Sequence, residues 1–169
     1  MQSTFKIFFM YTSIIKLRSK LLVYLTHNMA LPFLKLVRKP LLFPYSMDML
    51  QNMKSFTLGN DLYHFLQLRK LQLLPYYAKH DIKHILLDYG TTDEGEVCLQ
   101  CFMLGNGHLS FPVLATVTYG FVTMPEYWKK FKGAYKRGKH ACSLHDWKWF
   151  EIMNDETVLL KNKINHKIT

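Results

Sequence analysis

The stretch KHDIKHILLDYGTTDEGEVCLQCF, residues 79–102, decides the reading of this chain. His80 and His84 are four apart, so on a helix they share one face about one turn apart. Asp81 stands three residues before His84 and can join that face. Asp88 to Gly95 is short, polar and rich in turn formers. If a second helix starts near Thr92, Glu96 folds back against both histidines. Two imidazoles and two carboxylates then surround one point, which is a ligand set for a transition metal. The mixed nitrogen and oxygen donors suit zinc, iron or manganese better than calcium or magnesium. The chain has eight histidines, so a chance pair at this spacing is the plain alternative. Asp81 and Glu96 argue against chance, because buried carboxylates need partners and a cation is the commonest one. Asp88, Asp93 and Glu94 read as solvated loop charges or charges at a helix N-terminus.

Outside this stretch the apolar spacing is helical nearly throughout, and no strand alternates convincingly. The expectation is an all-α fold: a single compact helical domain with a metal site between two adjacent helices. Residues 1–45 read as a basic amphipathic N-terminal segment and 46–169 as the helical domain. Ile14, Leu17, Leu21, Leu22 and Leu25 lie at helix spacing beside Lys16, Arg18 and Lys20. A short helix over 31–37 stops before Pro40. Ser46 caps a helix over 47–54, and Gly59 or Asn60 opens one ending near Arg69. Pro75 suits the first turn of the histidine helix. Further helices cover 92–104, 109–121 and 124–136, with Gly105-Asn106-Gly107 and Gly138 as stops. Asp146 caps a short helix holding Trp147, Trp149 and Phe150, and a last helix covers 155–163. Trp128, Phe131 and Tyr135 fall at i, i+3 and i+7, so they read as one buried stripe rather than a stacking surface for nucleic acid.

At 169 residues with 49% hydrophobic and 15% aromatic content, the chain suffices for a real core and is not disordered. Its net charge of +10 favours acidic partners. Before Asp48 there are seven Lys or Arg and no acid; a second cluster holds Lys129, Lys130, Lys132, Lys136, Arg137 and Lys139. A solvated face is the ordinary reading of such runs. Cys98, Cys101 and Cys142 make no disulfide framework, and the lone CxxC sits in an apolar helix as small core residues, in keeping with a reducing compartment. No apolar run reaches the ~20 residues of a membrane span. The acid-free N-terminus fits either a mitochondrial transit peptide or an uncleaved bacterial start.

The pattern His80-Asp81-x-x-His84, eleven residues, then Glu96, resembles the signature of the coenzyme Q biosynthesis protein 4 family at every position and spacing. Residues 59–66 (GNDLYHFL), 95–102 (GEVCLQCF), 134–138 (AYKRG) and Asp146-Trp147 resemble other elements of that family in the same order. The resemblance covers roughly residues 50–165; the first 45 residues match nothing nameable. It implies a protein of ubiquinone biosynthesis that acts on or binds a polyprenylated hydroxybenzoate at the ring-decarboxylation step. His80, Asp81, His84 and Glu96 would hold a divalent metal, zinc first among candidates, with Asp81 or Glu96 moving a proton. Arg137 would grip the anionic head of a polyprenylated aromatic or prenyl-phosphate ligand, or else pair with Asp146. Leu86, Leu99, Phe102, Leu109 and Val113 either line a groove for the prenyl tail or belong to the core.

Catalyst and scaffold stay open at this point. The chain is either a metal-dependent, oxidative decarboxylase or lyase, or a non-catalytic lipid-binding scaffold of a quinone-biosynthesis complex. Expected partners are other quinone-biosynthesis proteins, an anionic membrane surface and a second copy in a homodimer, with no nucleic acid. Expected localisation is peripheral, on the cytoplasmic side of a bacterial inner membrane or the matrix side of a mitochondrial one. A metal-dependent phosphohydrolase of the HD class is a third reading, and it would need His64 and Asp146 near the metal.

Overall fold

The computed structural model describes residues 42–74 and 77–166, together with Ile15, Leu17, Arg18 and Lys20. The described elements are α-helices joined by turns, with no strand among the described residues beyond a single antiparallel bridge, Thr57 to Glu156. In chain order they are α1 (Met47–Gln51), α2 (Leu58–Leu68), α3 (Ala78–Leu87), α4 (Asp93–Gly105), α5 (Phe111–Thr123), α6 (Trp128–His140) and α7 (Thr157–Asn165). A 3₁₀ turn, Pro125–Tyr127, leads into α6. The all-α, single-domain expectation holds. The helix-spaced stretch from Ile14 to Leu25 lies mostly outside the described residues, though Ile15, Leu17, Arg18 and Lys20 are helical within it. The expected helix over 31–37 and the place given to Pro75 also lie outside them.

Capping follows side-chain chemistry. Ser46 Oγ accepts from Met49 N at 3.2 Å, and Thr57 and Thr92 accept from Asn60 N and Gly95 N. Thr57, rather than Gly59 or Asn60, therefore opens α2.

Helix α4 lies at the centre. Its Leu99, Phe102 and Met103 join a large core with Leu58, Leu62, Leu66, Ile82, Leu86, Leu144, Met153 and Ile164. Its Val97, Cys98 and Cys101 join a second cluster with Met124, Phe131 and Ala134. Helix α5 returns antiparallel to it, with Gly120 against Val97. Helix α6 then runs parallel to α4, since Lys130 pairs with Glu94, Gly138 meets Phe102, and Lys139 meets Gly105. Gly138 does not stop α6, as its sequence suggested. It lets two backbones touch: a Cβ there would stand 2.1 Å from the Phe102 carbonyl oxygen. Burial raises the Cys98 thiol to about 11 and the Cys101 thiol to about 12, so both are inert core residues.

Two expectations are corrected. Asp146 caps no helix; residues 141–156 are turns, because their backbone is claimed elsewhere. Asn106 accepts from Leu144 N and donates to the Gly138 and Cys142 carbonyls. Gly59 N and Leu58 N donate to the Met153 and Asp155 carbonyls, and Cys142 N to that of Ile164. Of the stripe Trp128, Phe131 and Tyr135, only Phe131 is buried; Trp128 and Tyr135 are 45% and 43% exposed. Trp128 Nε1 donates to the Phe121 carbonyl, and Tyr135 meets α4 through its backbone, where a Cβ on Gly105 would stand 2.1 Å from the Tyr135 oxygen. Of the candidate groove residues, Leu86, Leu99, Phe102 and Val113 are core, while Leu109 is exposed.

The backbone contact at Gly138 generates a paired test. Gly138→Ala forces α4 and α6 apart and is expected to cost about 1–3 kcal/mol in urea unfolding. Gly133 on the same helix has open space around its Cα. Gly133→Ala is expected to gain up to about 1 kcal/mol from helix propensity alone. Equal effects at the two sites would refute the close-packed contact.

Candidate metal centre

The site is built at the junction of α3 and α4. Helix α3 presents His80 and His84 one turn apart, with ring centroids 4.6 Å from each other. It ends at Asp88, which takes the left-handed conformation (φ 57°) and turns the chain sharply. The Tyr89 carbonyl, next in line, accepts a hydrogen bond from His84 Nδ1 at 2.9 Å. A carbonyl only accepts, so Nδ1 carries the proton and Nε2 of the neutral ring keeps its lone pair. Gly95 packs so tightly on Gly90 that a Cβ would stand 2.0 Å from the Gly90 oxygen. Thr92 caps α4, and Glu96 falls in its first turn, where the helix dipole favours an anion.

The outcome is a three-point cluster. Glu96 Oε2 lies 3.1 Å from His80 Nε2, and Glu96 Oε1 lies 3.0 Å from His84 Nε2. One donor atom from each of the three lies within 4.8 Å of the other two. The His84 side chain is fully buried, yet its Nε2 makes no properly directed hydrogen bond. Two lone-pair atoms this close, one of them orphaned in a dry setting, repel unless a cation or a proton sits between them. The donor set therefore fits a divalent metal on two nitrogens and a carboxylate, the composition of catalytic zinc sites with an open position.

The charges agree with this geometry. Burial works to raise the Glu96 carboxyl, but the two imidazoles overrule it and hold it at about 2, so it stays ionised. Burial opposes protonation of His84, but Glu96, the Tyr89 carbonyl and Asp81 outweigh it and raise its pKa. For Asp81 the sequence left two places open, on the metal or beside a ligand of it. It is not part of the three-point cluster, and it stands beside it. Burial lifts its carboxyl to about 6, against the pull of His80 and His84 and with a further push from Glu96.

A cleft of about 410 Å³ opens against the cluster, with His84 in its wall. Asp61, His64, Phe65 and Arg69 of the α2 region, Ile85, Tyr89 and Lys161 also line it. Sequence reasoning passed over Arg69 and Lys161. No local pattern marks them, since α2 and α7 reach the cleft only through the tertiary packing. Arg137 stands elsewhere. Its guanidinium donates to the Leu87 carbonyl and to Asn165 Oδ1 and lies 5.4 Å from the Tyr89 and Phe102 ring centroids. It ties α6 to the end of α3 and to α7, and its partner is not Asp146. Asp146 instead accepts from His145 and is 94% exposed, and no metal cluster among the described residues includes it or His64. The HD-phosphohydrolase arrangement is therefore not formed.

Comparison with solved structures finds the fold again. The chain is similar to the crystal structure of a Nostoc punctiforme protein named for ubiquinone biosynthesis, with a TM-score of 0.60 and 20% identity over 90% of this chain and 81% of that one. No family model and no curated protein matches the chain. The shared feature is the helical fold.

The centre predicts about one divalent metal per chain, measured by elemental analysis after expression in metal-replete medium and removable by chelator. His80→Ala and His84→Ala should lose it, while His166→Ala should keep it. Because metal must displace the proton that Glu96 and the Tyr89 carbonyl help His84 to hold more firmly than a free imidazole does, affinity should fall as the pH drops through the titration of that ring, about tenfold per proton per pH unit. Affinity that does not change between pH 8 and 5 would rule out imidazole ligation.

Proposed function

We propose that this chain acts in ubiquinone biosynthesis, at the ring-decarboxylation step of a polyprenylated hydroxybenzoate, with a divalent metal, zinc first, on His80, His84 and Glu96. The observation that carries the reading is the double position of His84: it belongs to the metal-binding cluster and to the wall of the cleft. The family resemblance of the motif and the fold shared with the Nostoc punctiforme protein support it.

The residues divide the work by chemistry. A bound divalent metal supplies Lewis-acid polarisation of a carboxylate or phenol oxygen. Glu96, held ionised, stays a ligand and does not exchange its proton near neutral pH. Asp81, with its carboxyl near 6, is the group suited to hand a proton to the ring carbon as the carboxylate leaves. Arg69 lines the cleft and suits the anionic head, whereas Lys161 beside it is paired with Asp88; Phe65, Leu68 and Ile85 provide apolar wall. This takes the anion-gripping role from Arg137, whose guanidinium is engaged by Leu87 and Asn165.

The test uses the full chain, metal-loaded, with a prenylated hydroxybenzoate under aerobic and anaerobic conditions. Release of the ring carboxylate as CO₂, reduced in Glu96→Gln by more than about 100-fold, the upper end of what a supporting residue costs, is the expected result. Saturable binding without turnover in both conditions would replace the catalyst with the scaffold. Neither binding nor turnover would remove the quinone substrate and leave the metal centre standing.

The same reading places the protein peripherally on an anionic membrane. The acid-free stretch before Asp48 supports it, as does α6, whose exposed Lys129, Lys132, Lys136 and Lys139 lie with exposed Trp128 and Tyr135. Among the described residues no helix is long and apolar enough to cross a bilayer. Each Lys or Arg near an anionic surface contributes about 1 kcal/mol. Pelleting with phosphatidylserine vesicles should therefore exceed pelleting with neutral vesicles and fall with salt; equal pelleting would contradict it.

A further inference from the structure

The carbonyl that orients His84 has its own support, and that support comes from α6 and α7. Helix α3 ends at Leu87, and the next two residues turn the chain back so that the Tyr89 oxygen meets His84 Nδ1. Asp88 makes this reversal in the left-handed region (φ 57°), which a residue with a side chain occupies only at some cost. Three consecutive residues of the turn are gripped from outside. Arg137 Nη1 of α6 donates to the Leu87 carbonyl, one of the last four that an α-helix leaves without an internal partner. Lys161 of α7 pairs with the Asp88 carboxylate. The Arg137 guanidinium also lies over the Tyr89 ring, 5.4 Å from its centroid.

The same guanidinium is itself held. Its Nε and Nη2 donate to Asn165 Oδ1 at 3.3 and 3.2 Å. The Asn165 amide is oriented for this, since its Nδ2 donates to the Lys161 carbonyl. Lys161 and Asn165 are four apart on α7, so one face of that helix reaches both Asp88 and Arg137. A planar fork suits the place. It meets two acceptors in different directions while its flat face covers a ring, which a single ammonium on a flexible stem cannot do. These hydrogen bonds go to the turn and to α7, and Arg137 is not one of the three residues of the metal-binding cluster.

We propose that Arg137 is a positioning residue of the metal centre: by holding the turn 87–89 it fixes the Tyr89 carbonyl on His84 Nδ1 and so keeps Nε2 aimed at Glu96. A ligand imidazole without a partner on its second nitrogen can rotate and can carry its proton on either nitrogen. The neutral ring offers Nε2 to a metal only while the proton stays on Nδ1. The bearing of Arg137 on metal binding rests on the reading of the cluster as a metal centre, whereas its hold on the imidazole does not. Neither depends on the proposed quinone chemistry.

The experiment takes two readouts from the full chain. One is the affinity of chelator-treated protein for cobalt(II), followed by its visible absorption. The other is the exchange rate of the buried His84 Nδ1 proton in metal-free protein carrying isotope-labelled histidine, its signal assigned by its absence in His84→Ala. Arg137→Met keeps the apolar stem. It should weaken cobalt binding by about 10–100-fold, the usual loss when a group supporting a ligand is removed, and should speed exchange of that proton. Arg137→Lys reaches one acceptor and should recover only part of both. Leu50→Ala opens a cavity in the core at α1. It lowers the unfolding midpoint without touching the turn, so it should bind cobalt like the parent protein. If Arg137→Met does not fold, Asn165→Ala, at an exposed position of α7, removes one hold on the guanidinium and should move both readouts the same way by less. A parent protein that binds no cobalt, while Arg137→Met still frees the proton, would remove the metal and uphold the grip on His84. Undiminished affinity with unchanged exchange in Arg137→Met would overturn the proposal, however much that variant's midpoint falls. A loss of affinity in Leu50→Ala equal to that in Arg137→Met would overturn it as well.

Discussion

Burial of α4 on two sides is the constraint on which the rest depends. A helix packed only on one face can rotate about its axis or slide along its neighbour to relieve a poor contact. Helix α4 has Leu99, Phe102 and Met103 locked into one core and Val97, Cys98 and Cys101 into another, and its backbone touches that of α6 at Gly138. Close-packed interiors do not yield to small displacements. The first turn of α4 is therefore fixed in space, and Glu96 with it. Helix α3, held by Ile82, Leu86 and Leu87 in the larger core, brings two imidazoles to that fixed point. Burying an ionised carboxylate beside an imidazole nitrogen without a directed hydrogen bond carries a desolvation cost, which the two imidazoles offset. The arrangement persists because the packing on either side determines it.

What the sequence disclosed was mostly what depends on near neighbours. The His80–His84 spacing, the Asp88–Gly95 connection and the Thr92 cap are settled within about twenty residues of chain, and there His80, His84 and Glu96 come together as a group that could hold a metal, with Asp81 beside it. The difference at Asp81 is geometric. On a helix it lies about 100° from His80, so it flanks the cluster while Glu96 enters from α4. The misreadings share a cause. Gly138 looked like a helix stop, but its meaning is set by the Phe102 carbonyl, thirty-six residues away in sequence. Residues 141–156 carry helix-compatible side chains, but Asn106 and the start of α2 claim their backbone. The apolar spacing of Trp128, Phe131 and Tyr135 gave no means of telling which of them would meet α4. Arg69 and Lys161 reach the cleft from helices that no local pattern joins.

The two basic pairs on α3 also show how one short helix can face two different environments. Its His80 and His84 turn toward an acidic, metal-binding partner, while Lys79 and Lys83 turn toward a tryptophan and further bases. With a period of 3.6 residues, a displacement of one position is enough to keep the two faces apart. The single acid on this helix, Asp81, stands with the histidines and not with the lysines, so the two environments keep opposite sign.

Asn106 has a bearing on how the protein ages. It is followed by Gly107, and an Asn-Gly pair is the one most prone to spontaneous deamidation, because a glycine nitrogen closes readily on the side-chain amide. Here the amide is held on both sides, to the Gly138 and Cys142 carbonyls and to Leu144 N. Held in this way, it cannot swing onto the following nitrogen. Folded protein should therefore keep its charge on storage, whereas unfolded chain gains a negative charge at this position. An aspartate there would face two carbonyl oxygens with no proton to offer them. A chain damaged while unfolded would then lose the clasp that seats residues 141–156, so chemical history at one amide becomes a determinant of refolding.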